Sequence, residues 1–555
     1  MSKRIKTFQQ PGTSNGDKAD HLKPGRHPKS RIYKISIIAG VVVLVFIISI
    51  FSNIIGRSFT SDDVSEQSYT HNLTQPGPHT ILMENDTYIL KLPVYFVFNA
   101  IVHPGRTQLV LESLLFNGLM IVLLLIWWRK IAPKTNDSWL VFIWLLTTGV
   151  YWISQTINSN DRNADIGLML LFSLFAIRII SSPIALSRRT LLYTAGGSVI
   201  AAILTYDDPY FLFFVLIPLL TATYIYSYRQ KVYSPAFVFT AGLLLCLLMY
   251  KALAMVFAHF GLLISNINRI TVLTSTTVRQ SYIPTKIVKT LNAYLSLMGS
   301  SPKSIIIHPS YWLLPSIIFN AGVVFLALNS LYDIIRHHKY TPLNLWVLMT
   351  IIVSFGYILI IGDNIIDTFR YFLILLPVTA LLVASAIMRF ATGPRKYYRL
   401  ATAVVGIALC LNVINGVVLI YQKRNLAAPN LINYQIISAL NKYGVTTSYG
   451  DYWVANISYY LSDYKDNVLP MHCSKGDLYP DPTLLDAQRY KIPHTTFGVI
   501  VAPSLFIATP ETYHQAPSCT VKATIKQFGL PQKIVHITPA VSLLIYDHSP
   551  LSYLK

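Results

Sequence analysis

Long apolar runs separated by short polar turns dominate this chain. About 11 of them have the length of a spanning helix, which needs about 20 residues. They fall at 35–55, 109–128, 139–156, 165–183, 190–205, 210–228, 236–258, 311–331, 343–361, 371–389 and 400–420. The first, Ile35–Ile55, is too long for a signal-peptide core and reads as a retained helix. One run differs. Thr87–Val102, "TYILKLPVYFVFNAIV", is apolar but broken by Lys91 and Pro93, and it predicts an interfacial or re-entrant helix. After Tyr421 the hydropathy falls. "NLINYQIISALNKYG" reads as a helix closed by Gly444, and the short runs "TFGVIVAP" and "VSLLIYDH" read as strands.

Composition agrees with the pattern. Only 12% of the 555 residues are charged and 53% are hydrophobic, whereas soluble domains carry about 25% charge. The net charge of +21 does not indicate nucleic acid. Residues 1–34 hold nine Lys/Arg against Asp17 and Asp20, a disordered basic tail suited to the cytoplasmic side and to anionic membrane lipid. Every second loop is then basic: Arg129/Lys130/Lys134, Arg188/Arg189, Arg229/Lys231, Arg336/Lys339 and Arg389/Arg395/Lys396/Arg399. This alternation places the amino terminus inside and, with an odd helix count, the carboxyl terminus outside. The expected organisation is a basic tail (1–34), a multi-helix membrane domain (35–420) with its first outer loop over 56–108, and a small exported α/β domain (421–555).

The outward loops carry acids: "SDDVSE" at 61–66, "NDRNAD" at 160–165, "YDDPY" at 206–210 and "GDNIIDTFR" at 362–370. The fourth outer loop, about 259–310, is cationic, with Arg269, Arg279, Lys286, Lys289 and Lys303. Carboxylates serve proton transfer, and arginines hold phosphate. Adjacent residues do not point the same way, so Asp62 and Asp63 cannot be equal arms of one dyad. Arg162, Arg370 and Arg279 are candidate phosphate ligands. "YDDPY" reads as a helix-connecting turn, and helix interiors read as free of charge except at Lys251. Cys246 and Cys410 are packing residues, and Cys473 with Cys519 is a disulfide candidate in the exported region. "RHHK" (Arg336–Lys339) reads as a stop signal rather than a ligand set. Asn72, Asn85 and Asn456 are outward Asn-x-Ser/Thr sites.

These features resemble the GT-C type of polyprenyl-phosphate-dependent membrane glycosyltransferase, in the protein O-mannosyltransferase and aminoarabinose transferase branch. The likeness rests on the acidic pair "SDD" past helix one, the patch "LKLPVYF" (Leu90–Phe96), the late entry "FRYFLILLP" (Phe369–Pro377) and a region after the last helix. It covers roughly residues 30–420. It implies transfer of a sugar from a polyprenyl-phosphate carrier at the outer face to a lipid, protein or glycan acceptor, usually with inversion. The family's base falls on Asp62. The usual Asp-Glu here reads Asp-Asp, so Asp62 and Asp63 both stay open. Asp161 and Asp165 look like its second acidic position, and Lys91 joins Arg370, Arg162 and Arg279 as a phosphate ligand. Some relatives use a divalent metal and others do not, so no cofactor is implied with certainty. The alternative readings are a transporter or flippase of a lipid-linked substrate, and a structural envelope protein.

Overall fold

The computed structural model describes residues 61–76, 81–83, 88–131, 163–181, 188–208, 210–264, 283–297, 313–360, 373–391, 431–474, 477–480, 489, 496–502 and 519–549. The chain divides into Met1–Leu44 and Val45–Lys555, and every described residue belongs to the second unit. The apolar runs at 35–55, 139–156 and 400–420 lie outside the described residues. So do Asp161, Arg162, Arg279, Arg370, Cys410 and the Asn85 site.

The acidic stretch read as a loop is a helix. α1 covers Ser61–Thr74, so Asp62 and Asp63 are its second and third residues. A helix that is polar all round normally faces water, yet Ser65, Glu66, Gln67, Ser68, Thr70 and Asn72 are all buried. Their polar groups therefore need partners inside the protein. The segment after it is helical only from α2, Leu92–Ile101. Pro93 suits the first turn, where a missing N–H costs nothing. Ten residues fall well short of a span. Tyr95 faces inward while Val97 and Ile101 are exposed.

The bundle follows. It contains α3 Arg106–Ile131, α4 Asn163–Ser181, α5 Arg188–Asp207, a π-helical turn Leu212–Leu216 leading into α6 Ile217–Gln230, and α7 Ser234–His259. Then come α8 Ile283–Leu297, α9 Leu313–Arg336, α10 Pro342–Ile360 and α11 Leu375–Ala391. Among the described residues, α3, Leu212–Gln230 and α7 are long and apolar enough to cross a membrane. The helices pack pairwise, α3 on α4, α5 on α7, α6 on α10 and α9 on α11. Gly167 permits the first of these contacts, because a Cβ there would stand 2.7 Å from Leu123 Cβ.

The two ends of the bundle differ chemically. At one, Asp333 pairs with Arg389 (2.7 Å), His337 (2.8 Å) and Lys339 (2.9 Å). Beside them, Arg229 stacks 3.8 Å over the Tyr340 ring. At the other, strand β1 Ile81–Met83 pairs in parallel with β2 Leu262–Ile264. Phe257 of α7 there joins Tyr69, Tyr88, Tyr95 and Phe116 in one apolar cluster.

Residues 431–549 build a six-stranded mixed sheet, ordered β5-β4-β3-β6-β8-β7. Its strands are β3 Thr447–Asp451, β4 Asn467–Ser474, β5 Asp477–Pro480, β6 Phe497–Val501, β7 Lys533–Thr538 and β8 Val541–Tyr546. β3 runs parallel to β4 and β6, and the remaining pairs are antiparallel. α12 Leu431–Lys442 and α13 Tyr452–Leu461 cover one face, and α14 Val521–Phe528 covers the other. Gly444 closes α12 at φ +64°, a conformation that glycine adopts without a Cβ penalty. Asp451 caps α13, its carboxylate accepting from Trp453 N–H. Cys473 on β4 and Cys519 before α14 form a disulfide, with Cα atoms 5.8 Å apart and a sequence separation of 46. It ties α14 to its own face of the sheet. Replacing both cysteines by serine is expected to destabilise this region by about 2–4 kcal/mol, read as a lower urea midpoint.

Candidate functional site

Four carboxylates are buried where α1, α2 and α3 meet the C-terminal end of α5: Glu66, Glu112, Asp207 and Asp208. Glu112 lies inside an apolar run whose interior was expected to be free of charge. That expectation is corrected here, because Glu112 has no exposed surface at all. A buried carboxylate requires donors, and it has them from two helices. Gln67 of α1 donates to one oxygen at 2.6 Å, and Gln108 of α3 donates to the other at 2.9 Å. Gln108 also donates to Asn99 Oδ1 at 2.7 Å, and Asn99 Nδ2 returns to the Gln67 carbonyl at 3.1 Å. The result is a closed ring of hydrogen bonds through all three helices.

Glu66 accepts from the Tyr95 hydroxyl. Thr70 binds the Glu66 carbonyl at 2.8 Å and meets the Tyr88 hydroxyl at 2.9 Å. Burial, with Glu66 nearby, pushes the Tyr88 phenol far above its usual range against a smaller opposing pull from Thr70. Lys91, just before α2, is 1% exposed, with its ammonium 5.6 Å from the Phe116 ring centre. Glu112 and Lys91 attract each other, so each lowers the cost of burying the other. The turn "YDDPY" takes part as well. Asp207 accepts from the Leu90 N–H at 3.1 Å, next to Lys91, and Asp208 accepts from the Tyr210 N–H at 3.0 Å.

Of the sequence candidates, the structure places Lys91 in this cluster and Asp62 and Asp63 at the start of α1. Asp165 belongs to the first turn of α4. Lys251, the one charge expected inside a helix, is exposed on α7. Sequence reasoning missed Glu112, Gln67, Gln108, Asn99, Tyr95 and Asp207. The pair Gln108/Glu112, four residues apart in an otherwise apolar run, was the available signal. Among the described residues, no three of His, Cys, Asp and Glu converge as a metal set. A groove between α4, α5 and α7, lined by Phe172, Phe175, Val238, Phe239 and Leu243, has no Asp, Glu, Lys, Arg or His among its lining residues.

The α/β region is docked on this cluster. Tyr459 donates to Asn72 Oδ1 at 2.7 Å, and Tyr464 stacks on His71 at 3.8 Å between ring centres. The Tyr460 hydroxyl accepts from Gly105 N–H at 2.9 Å. It also faces the Gly105 carbonyl at 3.0 Å and Gln108 Oε1 at 3.3 Å. Val64, Leu109, Ile457 and Tyr460 form the apolar seam. Two of the three glycosylation sites are corrected here, since Asn72 and Asn456 are 4% and 1% exposed in the folded chain. Asp463 and Tyr464 adopt left-handed backbone, φ +57° and +60°. That is uncommon for a bulky side chain, and it aims Tyr464 at His71.

No protein-family model matches the chain, and no curated protein matches it either. Its fold is shared with solved structures. ArnT from Cupriavidus metallidurans, bound to undecaprenyl phosphate, superposes with a TM-score of 0.55 at 12% identity, covering 93% of this chain and 99% of ArnT. ArnT in the apo state gives 0.54 at 11% identity, covering 93% and 98%. An oligosaccharyltransferase from Archaeoglobus fulgidus reaches only 0.44 at 12% identity, over 76% of this chain and 61% of its own, and carries no weight here. The resemblance read from the sequence thus holds at the level of fold, and the chain is a polytopic helical membrane protein.

The dock titrates. Burial holds the His71 pKa below its usual value of 6.5; Asp463 opposes the shift and Arg489 adds to it. A depressed histidine contributes fully above about pH 6.5, and its contribution falls away at lower pH, where the undocked chain takes up the proton first. Melting temperature is therefore expected to drop between pH 7.5 and 5.5. His71→Phe, which keeps the stacking, should flatten that drop.

Proposed function

We propose that this protein is an integral membrane glycosyltransferase that moves a sugar from a polyprenyl-phosphate carrier to an acceptor hydroxyl. One observation carries the reading. Lys91 is buried at the start of the short helix α2 and attracts the buried Glu112, in a chain that shares its fold over 93% of its length with ArnT, a protein solved with undecaprenyl phosphate bound. An ammonium held dry and in place is a strong partner for a phosphate oxygen.

In the proposed reaction, the acceptor oxygen attacks the anomeric carbon. The bond from that carbon to the phosphate oxygen breaks, and its electron pair leaves with the polyprenyl phosphate. The hydroxyl proton passes to Asp62 or Asp63, and the configuration inverts. On α1, Asp62 precedes Glu66 by one turn and Asp63 precedes Gln67 by one turn. Either aspartate therefore lies one turn before a buried polar residue of α1. Lys91, with Arg162, Arg370 and Arg279, would hold the phosphate, and Asp161 or Asp165 would supply the second acidic position. A divalent metal is not required by this scheme. In this reading the chain crosses the membrane about 11 times, and the amino terminus is cytoplasmic. The α/β region then lies outside, where its disulfide persists.

The test is transfer in membranes, with a panel of labelled polyprenyl-phosphate sugars offered to expression-matched variants. Wild type is expected to transfer from one donor, and either Asp62→Asn or Asp63→Asn is expected to lose at least about a hundredfold in rate. Equal transfer by wild type and the double variant would overturn the carboxylate mechanism.

A further inference from the structure

We propose that Tyr460, on the α/β region, is a positioning residue for the donor-phosphate site. The inference rests on the reading of Lys91 just given. Gln108 is an amide with two donors and one acceptor, and all of them are engaged. Its Nε2 donates to Glu112 at 2.9 Å and to Asn99 at 2.7 Å, while its Oε1 lies 3.3 Å from the Tyr460 hydroxyl. The tyrosine faces the oxygen side of the amide, so it favours the orientation that turns both donors toward Asn99 and Glu112.

The same hydroxyl accepts from the Gly105 N–H at 2.9 Å, and its one proton is shared between the Gly105 carbonyl at 3.0 Å and Gln108 Oε1 at 3.3 Å. Gly105 immediately precedes α3, where helical N–H groups lack partners of their own. Tyr460 therefore fixes both the start of α3 and the rotamer of its first buried amide. Glu112, one turn further along α3, is fixed by that amide and by Gln67. Glu112 in turn attracts Lys91. Burial first, and the charge of Glu112 second, raise the Tyr460 phenol well above its usual range, so it stays a neutral hydrogen-bond donor.

A chain of buried hydrogen bonds thus runs from a residue 355 positions away from Gly105 to Glu112, and the attraction between Glu112 and Lys91 carries it to the proposed phosphate ligand. Losing one link in such a chain leaves a buried polar atom without its partner, and the rest relaxes around it. The exported region would then complete the donor site without touching the donor.

The experiment uses the full chain in lipid nanodiscs with two probes, undecaprenyl phosphate and the uncharged undecaprenol. The variants are Lys91→Met, Tyr460→Phe, Gln108→Met and the Lys91→Met/Tyr460→Phe double. Lys91→Met is expected to weaken phosphate binding about tenfold or more. Tyr460→Phe should weaken it about fivefold without altering undecaprenol binding. The double variant should bind no worse than Lys91→Met alone, because coupled groups fail to add. Gln108→Met cuts the same relay from the membrane side and should reproduce the Tyr460→Phe loss, which covers the case where Tyr460→Phe folds poorly. If Lys91→Met binds the phosphate like wild type, the site reading itself falls and this inference falls with it. If Lys91→Met is weak but Tyr460→Phe and Gln108→Met bind like wild type, lose both probes equally, or add to Lys91→Met, the relay is wrong while the role of Lys91 stands.

Discussion

Glu112 is the constraint on which this end of the molecule depends. Placing a carboxylate with no exposed surface in an apolar helix is costly unless donors surround it. The donors come from Gln67 and Gln108, and each of those amides needs its own partners. Asn99 closes the circuit on one side and Tyr460 on the other. Helices α1, α2 and α3 and the sheet region are thereby held together by the hydrogen bonds that satisfy one buried carboxylate. The polar helix α1 is stable inside the protein for the same reason.

Much of the bundle was legible in the chain. The run expected at 165–183 is α4, and the runs at 190–205 and 236–258 lie within α5 and α7, because continuous apolar stretches bounded by charge leave little choice of element. Gly444 was readable as a helix stop and takes the left-handed backbone that role requires. The site was much less legible. "SDDVSEQSYTHNLT" has neither an apolar stripe nor an alternation, so it reads as a loop. Its helical state is imposed by tertiary partners. Glu112 passes for a stray charge in a hydropathy profile, and its two amide partners lie 45 and 4 residues away. Tyr460 reaches Gln108 across 352 residues, a separation at which no local pattern operates.

The likeness to ArnT at 12% identity fits this division. Apolar helix surfaces tolerate exchange of one hydrophobic residue for another so long as volume and pattern persist. A handful of buried polar residues has no such freedom, since each is specified by the hydrogen bonds of its neighbours. Sequence comparison weighs the many exchangeable positions and finds little.

The buried state of Asn72 bears on how the protein is made. Its side chain is sealed beneath Tyr459, yet Asn72-Leu-Thr74 satisfies the acceptor rule for N-linked glycans. A secretory pathway that decorates such sites during translocation meets the chain before the sheet region has been synthesised, since Tyr459 follows Asn72 by 387 residues. A glycan added then would fill the space the tyrosine must later enter, and the two halves would never close. The same sequence in a host without that machinery carries no such hazard, so the choice of expression organism decides whether the assembled molecule can be obtained.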